Sequence, residues 1–494
     1  MDSIRKTNEA IIPLPPYDNT MVRIYSYILY IFETRPEYDI KEIHAQLDTA
    51  LAHTIEDLPF LGGKLHLVAD DTSTGGSKGR LEIRLPTGQD TDKRPQVKFS
   101  DLCEELNPED MLDAGIPDED LDGNILNPAS LFADFEHGAD VIVCQANFIE
   151  GGCILSVGIH HSVCDGAGQI TVMKTWAEHM QRLDTSQATK LPKPLPDPLV
   201  ADKGVLSRLW KDVGNVPRPN AYKDASEDLW RFFGVNNISE PSSSSLAGEM
   251  SGVNEPMATS IFYVSKDDFT AMKDEASAGQ GSLDDLGKQI TANDALMAFL
   301  WQAIMRARFP PETLKPADNT EAILDSTFDG RGRFSSRLPP EYIGNVVLMN
   351  TATMALRDLV DRSISIAAPS RKIRQALNGI HTQMVHDAFT LADSLPDYTN
   401  ITFPFATFAG CELCITSLIN FPAYELQFGA PFANEGHPVS FRPPRSEFAA
   451  ICRRCMALPK RRGGGFEVLI AMFASEMDRL MKDASFTRWA KKSS

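Results

Sequence analysis

Residues 153–173 read "CILSVGIHHSVCDGAGQITVM". An apolar run ends at two adjacent histidines, His160 and His161, with Asp165 and Gly166 close behind. The preceding run, "VIVCQANFIE" (141–150), is also strand-like, and Gly151-Gly152 between the two is a hairpin signal. Beyond the histidines, Ile170, Met173, Trp176, Ala177, Met180 and Leu183 recur on one helical stripe. The stretch therefore predicts a hairpin strand, a tight turn and an amphipathic helix.

Alternation along the strand puts His160 on a face with Ser156 and Gly158, and His161 on the face of Leu155, Val157 and Ile159. The two rings point in different directions, so only one can readily act as a base beside a crevice. An imidazole has the unperturbed pKa for that work near neutrality. Asp165 is placed to cap the following helix or to accept from a cation. Gly166, Ala167 and Gly168 form a small-residue turn that admits another group close to the backbone. On these residues alone, a catalytic histidine and a core histidine pair with an N-capping aspartate are equally good readings.

The flanking sequence has the same mixed character. "MVRIYSYILYIFE" (21–33) reads as a strand, and "DIKEIHAQLDTALAHTI" (39–55) as a helix with Ile43, Leu47, Ala50, Leu51 and Ile55 at helical spacing. "LPFLGGKLHLV" turns through Gly62-Gly63 into a further strand. "TSQATKLPKPLPDPLVADKG" (185–204) is proline-rich and suits neither regular structure, as expected of a crossover between domains. "NNISEPSSSSLAGEMSGVNEP" (236–256) is of low complexity and predicts a surface loop. In the second half, "MATSIFYVSKDDFTAMKDEA" predicts a strand and a helix. "ITANDALMAFLWQAIMRAR" (290–308) is a strong helix with Thr291 as its cap and Asp294 three residues on. "GGGFEVLIAMFASEMDRLMKD" predicts a closing strand and helix. The fold class is α/β (mixed α+β) in two domains. The expected boundaries are 1–184, a crossover at 185–225, and 226–494, with exchange of elements between the two domains left open.

The chain has 494 residues, 43% hydrophobic and 23% charged, as expected of a globular protein with more than one core. Its formal net charge of −19 argues against nucleic acid or an anionic membrane as partner, since both require a basic field. An anionic ligand would need a local basic or helix N-terminal site. The sequence contains no apolar run of ~20 residues, and neither end resembles a secretory signal or an anchor. Eight sparse cysteines suit a reducing, cytoplasmic setting. "CELC" (Cys411, Cys414) and "CRRC" (Cys452, Cys455) resemble a four-thiolate zinc site, but their spacer exceeds the ~15–20 residues of a zinc ribbon. A strand through Cys411 and Cys414 would also point the two thiols to opposite faces. No metal is expected.

The spacing His161-Ser162-Val163-Cys164-Asp165-Gly166 resembles the HxxxDG motif of coenzyme-A-dependent acyltransferases, found also in condensation domains of peptide synthetases. Five further stretches are similar to BAHD acyltransferases and follow the family order. They are "LPFLGGKL" (58–65), "QITANDALMAFLWQAIMRAR", "DGRGRFSSRLPPEYIGNVV" (329–347), "TSLINFPAYELQFGAP" (416–431) and "GGGFEVLIAM". The resemblance covers nearly the whole chain and is nearest in flavour to fungal members such as trichothecene 3-O-acetyltransferase.

The resemblance implies two chloramphenicol-acetyltransferase-like domains enclosing a channel, with the catalytic histidine where they meet. It implies His161 as general base, Asp165 as a structural aspartate paired with an arginine, and Gly166 as the turn. Acyl-CoA (acetyl-CoA above all) would be the co-substrate, with no permanently bound cofactor. The acceptor would be a hydroxyl of a small specialised metabolite. Thr416 or Ser417 would supply the oxyanion donor, and Lys460, Arg461 and Arg462 would meet the coenzyme phosphates. Where the family carries D-F-G-W-G, this chain has Gln427-Phe428-Gly429-Ala430-Pro431, so Gln427 is expected to offer Arg331 a hydrogen bond in place of an ion pair. Two alternatives stand beside this reading: a condensation-type catalyst fed by a carrier-protein thioester, and a non-catalytic ligand-binding relative. One chain already supplies both halves of the site, so a monomer is the simplest expectation.

Overall fold

The computed structural model describes residues 10–69, 77–86, 94–104, 120–183, 197–238, 255–278, 289–314, 320–404, 410–445 and 453–493. The serine-rich part of 236–256 and most of the proline-rich 185–204 fall outside them.

The hairpin forms as its sequence demands. Ile142–Ile149 pairs antiparallel with Gly152–His160 around the glycine turn, and Gly151 takes φ +68 there, a backbone region that favours glycine. Gly152–His160 is buried along its whole length. Both of its faces are covered, so its sequence is almost continuously apolar instead of alternating. Tyr25–Glu33 lies on its other edge, Val97–Asp101 runs parallel to Ile142–Ile149, and Ser440–Arg442 closes the outer edge beside Tyr25–Glu33. These are the five strands of one sheet, and one of them comes from late in the chain.

Two helices cover a face of this sheet. Ile40–Asp57 starts at Asp39, whose side chain accepts from Lys41 N–H, and buries Ile43, Leu47, Ala50, Leu51 and Thr54. A cap of this kind contributes about 1 kcal/mol. Gly166–Leu183 buries its predicted stripe against it, and the Trp176 indole N–H donates to Leu47 O at 3.1 Å.

A seven-stranded sheet forms the second layer system. Its order is Val347–Ala355, Glu321–Asp329, Glu412–Ser417, Arg454–Ala457, Phe466–Phe473, Met257–Val264 and Lys491–Lys492. Two of its pairings are parallel, those on either side of Glu412–Ser417. Its main helix, Ala292–Arg308, is capped by a box in which Thr291 and Asp294 satisfy each other's backbone N–H. That helix is buried nearly throughout, consistent with a sequence apolar on all sides. A third sheet of four short strands, Ile11–Pro13, Leu81–Arg84, Lys64–Leu67 and Ala139–Asp140, flanks the first.

A separate apolar cluster joins the N-terminal segment to the crossover and the second half. Tyr17, Trp210, Trp230, Tyr342 and Phe389 meet in it, and the Tyr17 hydroxyl donates to Val385 O at 2.7 Å. A buried ion pair also crosses between the sheets. Arg442, on the outer strand of the five-stranded sheet, pairs with Glu467 of the seven-stranded sheet at 2.6 Å.

Candidate active site

The strand ends at His160, and His161 opens the turn. The His160 ring is fully buried, with Tyr25 and Phe135 edge-on at 5.6 and 5.5 Å. Burial, reinforced by His161 and Arg23, pushes its pKa from 6.5 down to about 3, so it stays neutral in the folded protein. Its Nδ1 accepts from Ser162 N–H at 3.2 Å.

His161 is held by its backbone on both sides. Its N–H donates to Ile24 O at 2.8 Å, and its carbonyl accepts from Asn345 Nδ2 at 2.9 Å. The imidazole lines a cavity of about 300 Å³ that also touches Gly166, Gln169, Thr327, Cys414 and Thr416. The remainder of the wall is mainly apolar, with Tyr27, Ile28, Phe233, Val235, Met349 and Phe421 among its residues. His161 Nδ1 is buried and has no hydrogen-bond partner among the described residues.

Asp165 turns away from this space. Its Oδ1 accepts from Gly168 N–H at 3.0 Å and from Arg331 Nη2 at 2.7 Å, and its Oδ2 accepts from Val346 N–H at 3.1 Å. Burial pushes the carboxyl pKa up, but the Arg331 charge and these hydrogen bonds outweigh it and hold the group below its ordinary value. Arg331 is itself buried and donates further to Tyr342 O and Gly344 O, both at 2.9 Å, and to Asp329 at 3.0 Å.

One expectation needs correction. Arg331 is engaged by Asp165 and not by Gln427. Gln427 Nε2 instead meets His437 Nε2 at 3.1 Å, and its carbonyl accepts from Gln181 Nε2 at 2.9 Å. Phe428 is a core residue, and Gly429 takes φ +82 beside Gly436, a backbone region that favours glycine. Gly166 does admit a close neighbour, as the small-residue turn predicts: a Cβ there would lie 2.7 Å from the Phe421 ring. Lys460, Arg461 and Arg462 are not among the cavity residues. Lys460 lies over the Phe269 ring, while Arg461 pairs with Glu467 at 2.8 Å and Arg462 with Glu435 at 3.7 Å.

The two oxyanion candidates separate. Thr416 lines the cavity, whereas Ser417 Oγ donates to Asn293 Oδ1 at 2.8 Å and is not part of the wall. This is the strand alternation that puts neighbours on opposite faces. Cys411 and Cys455 are free thiols, Cys452 lies outside the described residues, and no metal-holding cluster occurs among the described residues. No helix among the described residues is long and apolar enough to cross a membrane.

Sequence reasoning missed a buried group beside the turn. Asp18 and Lys203 form an ion pair at 3.2 Å, and Asp18 Oδ1 accepts from both the backbone N–H and the side chain of Asn345, at 2.8 and 2.9 Å. Lys203 also donates to Val163 O and Ile343 O. Asp18 sits in "PPYDNT" and Lys203 in "ADKG", contexts that read as turn and linker. Local pattern carries no signal for such a pairing; only the Y-x-G-N stretch holding Asn345 stood out.

Comparison with known proteins agrees with this architecture. The Transferase family profile matches residues 231–487, and that of the trichothecene 3-O-acetyltransferase-like N-terminal domain matches 24–179. Eremophilane O-acetyltransferase ORF8 of Penicillium roqueforti is 29% identical, covering 90% of this chain and 91% of its own length. The isocyanide synthase-NRPS hybrid crmA of Aspergillus fumigatus is 27% identical over 94% of this chain, which spans only 30% of that longer protein. TRI101 of F. graminearum, solved with coenzyme A and deoxynivalenol, superposes with a TM-score of 0.79 at 19% identity, covering 98% of this chain and 100% of that one. The chain belongs to the Transferase family, as a BAHD-type acyltransferase with a trichothecene 3-O-acetyltransferase-like N-terminal domain.

Proposed function

We propose that the protein is an acyl-CoA-dependent O-acyltransferase, with acetyl-CoA as donor and a hydroxyl of a small specialised metabolite as acceptor. The observation that carries this reading is the placement of His161 and Thr416 on one largely apolar cavity, bounded by strands of both large sheets. The eremophilane acetyltransferase relative and the coenzyme-A-bound TRI101 structure support this choice of donor and acceptor class.

In this mechanism His161 Nε2 takes the proton of the acceptor hydroxyl as its oxygen attacks the thioester carbonyl. The new C–O bond gives a tetrahedral oxyanion, which the Thr416 hydroxyl stabilises by donating a hydrogen bond. Collapse breaks the C–S bond, and the imidazolium returns the proton to the leaving thiolate. The products are an ester and free coenzyme A. The acyl group never rests on the enzyme, so a single base suffices. Asp165 shapes the turn, and Gly166 leaves room for Phe421. The chain contributes both walls of the cavity, which suits a monomer.

The deciding experiment is incubation with a panel of acyl-CoAs and terpenoid alcohols, read by mass spectrometry. The expected result is one ester and one free thiol per turnover, with the rate falling roughly 10²–10⁴-fold in His161→Ala. Transfer that survives in His161→Ala at the wild-type rate refutes the mechanism. The similarity to a peptide-synthetase hybrid favours one second reading, in which a carrier-protein thioester is the donor. Turnover only with acyl carrier protein, and none with free acyl-CoA, would select it.

A further inference from the structure

We propose that Asn345, anchored by the buried Asp18–Lys203 pair, is the positioning residue that aims His161 into the cavity. This rests on the reading of His161 as the base.

The turn from His161 to Asp165 leaves the strand ladder, so its carbonyls need other partners. They find them on distant segments. The His161 carbonyl accepts from Asn345 Nδ2 at 2.9 Å, and the Val163 carbonyl accepts from Lys203. The second Nδ2 hydrogen of Asn345 goes to Asp18 Oδ1 at 2.9 Å. Both groups facing Nδ2 are acceptors, so the amide has only one orientation that satisfies them.

Asp18 then fixes Asn345 twice, through the side chain and through the backbone N–H at 2.8 Å. Lys203 holds Asp18 and, at 2.8 Å, the carbonyl of Ile343 two residues before Asn345. Asp18 is 0% and Lys203 4% exposed, so none of these bonds competes with bulk water. A buried ion pair contributes little net stability compared with an apolar pair of the same shape. Its distinctive effect here is geometric. It joins the N-terminal segment, the crossover and the Tyr342–Asn345 stretch at the carbonyl of the base itself. Catalytic groups tolerate little displacement, and a shift of about 1 Å costs on the order of 10²-fold in rate.

The test is a double-mutant cycle in steady-state kinetics. Asn345→Ala is expected to lower kcat roughly 10–100-fold while KM for acyl-CoA and alcohol stays within about threefold. In a His161→Ala background the same change should alter the residual rate less than about twofold, because the group being aimed is gone. Asn345→Ala that lowers the unfolding midpoint but leaves kcat within twofold overturns the proposal, as does an equal loss with and without His161. Should Asn345→Ala fail to fold, Asn345→Ser, which keeps a short polar side chain but has a single donor for the two acceptors, is read by the same cycle. Full activity in His161→Ala alone is a separate outcome; it removes the base reading and the proposal with it.

Discussion

Removing the charge of Asp165 tests the turn most directly. In Asp165→Asn the side chain keeps one oxygen. If that oxygen stays with Arg331 and Gly168, as Oδ1 does, the new amide nitrogen faces Val346 N–H, a donor against a donor. One buried N–H is then unsatisfied, at about 1–3 kcal/mol. The larger loss is at Arg331, whose guanidinium is 2% exposed and is left with Asp329, a carboxylate that is 57% exposed. Breaking a buried pair by removing one partner's charge costs about 3–5 kcal/mol. We therefore expect Asp165→Asn to lose about 3–5 kcal/mol in urea unfolding at pH 7, followed by tryptophan fluorescence. The wild-type contribution should also fade in acid. The folded carboxyl has a depressed pKa, so its stabilisation is present above the ordinary carboxylate range and is lost as pH falls below it. The gap between wild type and variant should narrow accordingly. A variant within about 1 kcal/mol of wild type at pH 7 would refute the view that Asp165 and Arg331 hold the turn together.

Other expected outcomes follow from the same geometry. His160 is neutral when folded, so the unfolded chain alone takes up a proton as pH falls from 6.5 toward about 3. Stability should drop by about 1.4 kcal/mol per pH unit over that window, and urea titrations of His160→Gln should lack this increment. Helix propensity alone predicts a gain of about 1 kcal/mol for Gly168→Ala. A Cβ there would stand 2.8 Å from the Cys164 Cβ and 3.3 Å from the Ile343 backbone, so we expect a net loss of about 1–3 kcal/mol in thermal unfolding. Gly332→Ala, which meets nothing within 4 Å, should stay within about 0.5 kcal/mol. Thr416→Val should lower kcat roughly 10²-fold with little change in KM, whereas Ser417→Ala should leave kcat within about threefold; the reverse pattern in steady-state kinetics would move the oxyanion donor to Ser417.

Legibility in the sequence followed the distance over which each feature is determined. The hairpin, Ile40–Asp57, Gly166–Leu183 and Ala292–Arg308 announce themselves through spacing and caps that act within a few residues. His161 and Asp165 were equally visible, because the motif and the turn coincide. Features that depend on non-local partners were not. Nothing near Arg331 says that it bonds Asp165 and leaves Gln427 alone. Lys203 lies in a proline-rich crossover where a lysine ordinarily means solvent, yet it ends up beside Asp18. The strand Ser440–Arg442 is too short to show a period, and its partner lies at Leu29–Ile31. Thr416 and Ser417 looked equivalent until the strand fixed which of them faced inward.

That late strand has a consequence for biosynthesis. The outer edge of the five-stranded sheet waits for residues near 440, and the Arg442–Glu467 pair waits longer still. A chain emerging from the ribosome at about 5–20 residues per second therefore carries an open Tyr25–Glu33 edge for roughly 20–80 s before its own cover is made. An exposed strand edge over that interval invites pairing with a neighbouring chain. Truncation before residue 440 should accordingly yield aggregate instead of a soluble first half, and cutting the gene at the crossover should not release two independently folding pieces.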